Sequence, residues 1–317
     1  AAVSNCLGEW FPNLKIDIVE VDGKVIDVAK KYFSLRESSH CKVFGRDGRV
    51  FIQNRKEQEP YDWIILDAFK KGSIPYHLKT EEFYKEIRAV LRPGGVVGSN
   101  LYGKGNTLKP RDTKTFLSVF PHAIAWMPVA NEILVIGSDR PIKIDFEKLK
   151  GRFLDPVVNR VMQEIKVPDA FSFLSNIWFV EDQMNHLARN HTMITDNRPI
   201  VEFYLDLGDV IGVYGREDFL FARIPFKEII NRISNITYEE QKQLESIYGG
   251  MDLYQRGVIY GNRELLLESL VQLRGSDLGR YHLQASSRQV SILMQEVRSN
   301  PSNLEALLNL GHAYYQI

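Results

Sequence analysis

Three acidic residues in the first seventy positions each follow a short apolar segment. Glu20 follows IDIV, Asp47 follows VFGR and Asp67 follows WIIL. A carboxylate has two acceptor oxygens and no donor, so it suits the two hydroxyls of a ribose or the amine of a purine. An acid in a cleft can also orient an attacking amine and take its proton. We therefore treat these three acids as the candidate chemical residues.

Each acid also has a plainer interpretation. Glu20 is either a ribose ligand or a surface acid ahead of Asp22, the predicted cap of the next helix. Asp47 is either a helix N-cap or a contact to a purine amine, with neighbouring backbone NH groups such as that of Gly48 at the ring. Asp67 is either the proton acceptor or a turn aspartate.

The elements that must position these acids alternate between strands and helices. Strands are predicted at 15–21, 41–44, 63–66 and 96–103, and helices at 22–33, 47–54, 80–91 and 113–120. A closing antiparallel hairpin is predicted at 123–129 and 132–138. This order indicates an α/β, doubly wound, Rossmann-like sheet, with ligands at the carboxyl ends of its strands. Glu20, Asp47 and Asp67 should then lie along one sheet edge.

Two burial predictions accompany this scheme. The unalternating run WIIL (63–66) is typical of a strand that is buried on both faces. The helix at 22–33 places its apolar residues on one face, which should pack against the sheet. These residues are Val25, Val28, Ala29 and Phe33.

The rest of the chain is predicted to be helical. We expect a Rossmann-like domain at 1–140, a mostly helical extension at 141–205, and a less regular helical region at 206–317. The last segment, NPSNLEALLNLGHAYYQI (300–317), fits the tetratricopeptide pattern at Leu307, Leu310, Gly311 and Tyr314. An ordinary amphipathic helix is the alternative.

Composition narrows the classes of function. Forty basic and forty acidic residues cancel, which argues against a nucleic-acid substrate. Two cysteines, Cys6 and Cys41, predict no disulfide framework, fit a reducing compartment and are expected to be buried. His186 and His191 are five positions apart, off the spacing that places two metal ligands on one helix face, so we predict no metal.

Apolar runs and the start of the chain bear on localisation. No apolar run is long enough for a membrane helix, and no signal peptide is recognisable, so we predict a cytoplasmic protein. The chain begins without Met and already in a helical pattern, so we interpret it as a fragment. Membrane tethering through upstream segments stays open.

Several motifs together resemble the spermidine synthase family, over about residues 1–205. They are VEVD (19–22), GRDGRVFI (45–52), YDWIILDAF (61–69), IPYHLKTEEFY (74–84) and LRPGGVV (91–97). The segment TDNRPIVEF (195–203) resembles the long, fused variants of that family. YDWIILDAF followed by IPYHLKTEEFY is the most specific part.

The resemblance implies an aminopropyl transfer from decarboxylated S-adenosylmethionine to a small amine, without a metal. By that similarity Glu20 would hold the ribose, Asp47 the adenine amine, and Pro75 would line the adenine pocket. Asp67 would orient and deprotonate the attacking amine. A homodimer, and a protein partner bound by the C-terminal repeats, are further expectations.

Two departures from the family pattern leave alternatives open. The first strand, the glycine-rich loop expected before the first helix and the small N-terminal β-domain are missing from this sequence. Lys70 stands where the family often has a second acid that helps to hold a diamine. Two like charges about 4 Å apart repel by roughly 1 kcal/mol in water and roughly 4 kcal/mol at an effective dielectric of 20.

A Lys70 side chain that faces the pocket would thus favour an anionic or neutral acceptor, or intact S-adenosylmethionine. The alternatives are therefore an S-adenosylmethionine-dependent methyltransferase and a degenerate binding module with a protein-interaction tail. Lys70 and Lys71 could equally lie on the loop surface.

Overall fold

The computed structural model describes residues 11–68, 75–198 and 223–273, with Leu7, Gly8, Ser276, Gln295 and Ser299. Positions 12, 56, 101, 104–106, 109, 130–131, 166 and 261 are gaps within those ranges. The predicted tetratricopeptide-like segment, Cys6, Lys70 and Lys71 lie outside the described residues.

The first half of the chain alternates strands and helices, as the sequence predicted. Its elements are β1 (Ile16–Glu20), α1 (Gly23–Tyr32), β2 (Cys41–Gly45), α2 (Gly48–Gln53), β3 (Tyr61–Leu66), a 3₁₀ turn (Tyr76–Leu78), α3 (Glu81–Val90), β4 (Leu91–Asn100), β5 (Tyr102–Gly103), β6 (Thr107–Leu108), α4 (Pro110–Val119), β7 (His122–Val129) and β8 (Glu132–Ser138). Asp22 caps α1 through its side chain, as expected, and Thr80 caps α3 in the same way.

The second half is mostly helical. Its elements are β9 (Ile144–Asp145), α5 (Phe146–Phe153), α6 (Pro156–Glu164), α7 (Ala170–Ser175), β10 (Ile177–Val180), α8 (Glu181–Ala188), α9 (Phe226–Ile230), β11 (Ile233–Ser234), α10 (Tyr238–Tyr260) and α11 (Arg263–Gln272). Strand β10 was not predicted. Among the described residues, no helix is both long and apolar enough to cross a membrane.

The main sheet of the described residues has five strands in the order β10-β7-β8-β4-β3. Strands β3 and β4 run parallel, and the β7–β8 hairpin is antiparallel, as predicted. Strand β10 adds to β7 in antiparallel orientation. Strands β1 and β2 form a separate parallel pair in which Glu20 lies opposite Gly45. The main sheet is therefore mixed, and the β1–β2 pair, whose strands precede or carry Glu20 and Asp47, is separate from it, whereas one continuous sheet edge was predicted.

Two hydrophobic cores lie on opposite faces of the sheet, because neighbouring residues of a strand point to opposite faces. Ala123 and Ala125 of β7 belong to the first core, in which α2, α3 and α4 pack through residues such as Phe51, Ile87 and Phe116. Ile124 belongs to the second core, with α5, α7 and α10. The first core supports the elements that carry Asp47 and follow Asp67.

Three burial predictions are wrong. Trp63 and Ile65 are 44% and 38% exposed, whereas Ile64 and Leu66 are partly buried on the face where α2 to α4 pack. In α1 the sole buried residue is Ala29, whereas Val25, Val28 and Phe33 are exposed. Cys41 is half-buried rather than buried.

Candidate functional site

Glu20 ends β1 and is held beside the start of α1. Its Oε1 accepts a hydrogen bond from the Asp22 amide at 2.9 Å, and Asp22 in turn accepts from the Lys24 amide at 2.8 Å. Its Oε2 has no partner among the described residues. The carbonyl oxygen of Glu20 accepts from the Arg46 amide at 3.1 Å, which joins the end of β1 to the residue before Asp47. Glu20 and Asp47 thus lie at neighbouring strand ends.

Asp47 is the N-cap of α2, which was one of its two predicted roles. Its Oδ1 accepts from the amides of Arg49 and Val50 at 2.9 and 3.1 Å. Burial opposes ionisation of this carboxyl, but the Val50 amide, His77 and the Arg49 amide together lower its pKa. Asp47 is therefore a charged hydrogen-bond acceptor. The space beside the adjacent Gly48 is open, because a Cβ placed there would meet nothing within 4 Å.

Asp67 directly follows β3 and is exposed. Its backbone position follows from β3, whose last residue, Leu66, pairs with Ser99 of β4. Pro75 is the N-cap of the 3₁₀ turn. Its carbonyl oxygen accepts a hydrogen bond from the Leu78 amide at 3.0 Å. The residues between 68 and 75, which include Lys70, are not described, so Asp67 and Pro75 bracket that segment.

His77 connects the turn that follows Asp67 with the residue that follows β2. It was not predicted as a site residue from the sequence. Its Nε2 lies 2.9 Å from Asp47 Oδ2, although the residues are 30 positions apart. The contact brings the turn that follows the Asp67 segment against the residue that follows β2. The only signal for it was the HL pair within IPYHLKTEEFY.

Arg49 is the second residue that sequence reasoning missed. Its guanidinium binds Glu86 of α3 through Nε and Nη2 at 2.9 and 3.0 Å, and binds both oxygens of Asp196 at 2.8 and 2.7 Å. Its Nη1 also donates to the His77 carbonyl at 3.4 Å. The hydrogen bonds that Arg49 donates to Asp196 and then to Glu86 raise its pKa, so this cation is permanent.

The segment that carries Asp196 is the described part of TDNRPIVEF. The Asp196 amide donates to Glu82 at 3.0 Å, and the Ile194 carbonyl accepts from the Glu81 amide at 2.9 Å. Both contacts lie at the first turn of α3, where backbone NH groups and acidic side chains meet. This motif therefore closes onto α3 and α2 behind the strand ends.

A buried ion pair lies under the same turn. Lys79 and Asp112 are 2% and 1% exposed, and the Lys79 ammonium donates to the Asp112 carboxylate. Lys79 follows the 3₁₀ turn and Asp112 belongs to α4, so the pair fixes the turn to that helix. Tyr84 lies close to this pair, and burial followed by the nearby Asp112 charge raises its pKa.

The described residues place Glu20 and Asp47 at neighbouring strand ends, with His77 against Asp47. No group of three or more His, Cys, Asp or Glu side chains among them is arranged to hold a metal ion. Parallel strands with crossover helices, an acid at the end of β1 and an aspartate cap after β2 define a Rossmann-like fold of the class I methyltransferase type.

Part of the chain matches a known protein family. Residues 11–106 match the family model described as the spermine/spermidine synthase domain. The resemblance drawn from the motifs is confirmed there. A polyamine aminopropyltransferase of Vibrio vulnificus is 36% identical over 120 residues, which cover 38% of this chain and 40% of that protein.

A polyamine aminopropyltransferase of Saccharolobus islandicus is 39% identical over 200 residues, which cover 59% of this chain and 64% of that protein. Among solved structures, a probable spermidine synthase from Corynebacterium glutamicum aligns with a TM-score of 0.45 and 17% identity, over 60% of this chain and 66% of that one. The chain spans less than two thirds of each of the two curated relatives.

Proposed function

We propose that this domain transfers an aminopropyl group from decarboxylated S-adenosylmethionine to a small amine. The observation that carries the proposal is the Asp47–His77 contact, because it joins the segment after Asp67 to the strand ends of Glu20 and Asp47. The similarity to polyamine aminopropyltransferases supports the same reaction.

Each acid then has one role. The Glu20 carboxylate accepts from the ribose hydroxyls through its Oε2, while its Oε1 is held by the Asp22 amide. Asp47 accepts from the adenine amine, and the open space beside Gly48 leaves room for the ring. Pro75 lines the adenine pocket. Neither intact nor decarboxylated cofactor requires a metal for this binding.

Asp67 acts on the acceptor. An alkylammonium with a pKa near about 10 is not nucleophilic at neutral pH, so it must lose a proton first. Asp67 accepts that proton, and the neutral amine nitrogen then attacks the aminopropyl carbon next to sulfur. The C–N bond forms and the C–S bond breaks. Sulfur keeps the electron pair and leaves as the neutral thioether of methylthioadenosine. The protein's share is orientation, proximity and one proton acceptor.

The test is release of methylthioadenosine by the full-length protein given decarboxylated S-adenosylmethionine and putrescine. Asp67→Asn should lower the rate by about 10²–10⁴-fold, the usual range for general-base removal. Asp62→Asn is the matched control, since Asp62 lies at the other end of β3 in an exposed pair with Arg92. A wild-type protein that binds the nucleoside but makes no methylthioadenosine would contradict the proposal.

The second candidate is a methyltransferase on the same fold, and the observation that favours it is Lys70, three positions after Asp67. A lysine there would suit a carboxylate, either of an acceptor or of intact S-adenosylmethionine. Tighter binding of intact than of decarboxylated S-adenosylmethionine, weakened by Lys70→Asp, would support this candidate. Failure of the full-length protein to bind either compound would instead favour a non-enzymatic binding module.

A further inference from the structure

The two oxygens of the Asp47 carboxylate have different partners. Oδ1 is used by the backbone of α2, with two amide donors at 2.9 and 3.1 Å. Oδ2 faces the His77 imidazole at 2.9 Å and, like any carboxylate oxygen, can accept more than one hydrogen bond. Because Oδ1 is bound by the two α2 amides and Oδ2 by His77, the plane of the carboxylate is fixed. One acceptor direction on Oδ2 is left for a ligand.

The position of His77 is fixed by its own surroundings. Arg49 donates to its carbonyl oxygen at 3.4 Å, and the turn that contains it is closed by the Lys79 amide, which donates to the Tyr76 carbonyl at 2.9 Å. The charged groups around the imidazole are Asp47, Arg49 and Asp196, with Glu86 beyond Arg49. The imidazole is thus held by its neighbours, although about a third of it is exposed.

We propose that His77 is a positioning residue for the nucleoside, which orients Asp47 so that its free Oδ2 acceptor direction meets the adenine amine. This inference rests on the proposed function, since it assumes that Asp47 reads the adenine. It adds a residue from the segment after Asp67 to the recognition of the base. Cofactor binding and the acceptor side of the site are thereby linked through one side chain.

The test is calorimetric titration of the full-length protein with methylthioadenosine at pH 8. His77→Leu removes the donor and should weaken binding about tenfold, as expected for loss of a hydrogen bond to a charged group. His77→Gln keeps an amide donor and should retain affinity within about threefold. His186→Gln, on the exposed face of α8, is the matched control and should keep the wild-type affinity.

The outcomes separate the two proposals. If the wild type binds and turns over substrate, but His77→Leu binds the nucleoside as tightly, the positioning role is wrong while the proposed function stands. Tighter binding by His77→Leu would also overturn it, since His77 would then obstruct the base. If the wild type binds no nucleoside, the proposed function and the positioning role fall together.

Discussion

The guanidinium of Arg49 makes two parallel hydrogen bonds to the carboxylate of Asp196, 147 positions further along the chain, at 2.8 and 2.7 Å. The same guanidinium makes a second fork to Glu86 at 2.9 and 3.0 Å. One cation thus joins the first turn of α2, the middle of α3 and the TDNRPIVEF segment. Because both anions depend on it, its removal leaves two like charges facing each other.

We expect Arg49→Gln to lower the free energy of unfolding by about 2 kcal/mol, below the ~3–5 kcal/mol typical of a fully buried pair, because Asp196 is 38% exposed. Arg49→Lys should recover only part of the loss, since an ammonium cannot form two planar forks. Urea unfolding provides the measurement. Lys85→Gln, which breaks an exposed pair with Glu81 on the same helix, should leave the midpoint unchanged. Equal effects of Arg49→Gln and Lys85→Gln would refute this account.

The buried pair of Lys79 and Asp112 should be the most costly polar contact to break. Lys79→Met leaves the Asp112 carboxylate 1% exposed and uncompensated, and we expect a loss of about 3–5 kcal/mol in urea unfolding. The double variant Lys79→Met/Asp112→Leu removes both charges and should regain at least about 2 kcal/mol of that loss. A double variant no more stable than Lys79→Met would show that the penalty is not one of an unpaired charge.

The packing of the first core requires a glycine at position 137. A Cβ at this position would lie 2.5 Å from Phe116 Cε1 and 2.9 Å from Phe120 Cβ, so Gly137→Ala should cost about 1–3 kcal/mol by overpacking. Gly98, in the adjacent strand β4, has its nearest such neighbour at 3.4 Å on Trp63. Gly98→Ala is therefore the control and should be far milder. Thermal unfolding of the two variants side by side decides the matter, and equal shifts would contradict the packing account.

The Asp47 cap predicts a pH-dependent stability. Folding lowers the pKa of this carboxyl, so its stabilisation is present above its unfolded pKa of about 3.9 and is lost as the pH falls through the lower folded value. Asp47→Ala should cost about 1 kcal/mol at pH 7. The gap to wild type should narrow below about pH 4. Urea unfolding at pH 7 and pH 3.5 measures it, with the exposed Asp27→Asn of α1 as control. A gap that stays constant with pH would count against the ionised cap.

Local features of the fold were predictable because their causes lie within a few residues. The caps at Asp22, Asp47 and Thr80 follow from side chains that reach amides two or three positions away. The β7–β8 hairpin follows from two apolar runs joined by a short connection. Strand β10 was missed because four apolar residues before a helix fit either element equally well.

Burial was less predictable, since it depends on what covers each face. The apolar run of β3 indicated a strand covered on both sides, yet Trp63 and Ile65 are exposed on the face away from α2 to α4. The apolar face of α1 is likewise uncovered at Val25 and Val28. Periodicity reports which residues share a face, but the neighbours of that face come from elsewhere in the chain.

The sequence by itself determined the three acids, the strands and helices that carry them, and the motif that matches the spermidine synthase domain at residues 11–106. Tertiary structure alone decided that His77 contacts Asp47 across 30 positions and that Arg49 binds Asp196 across 147. The reason is physical. A cap or a strand is stabilised by groups that are near in sequence, whereas these contacts form only after the helices have packed on the sheet and brought distant charges within hydrogen-bond reach.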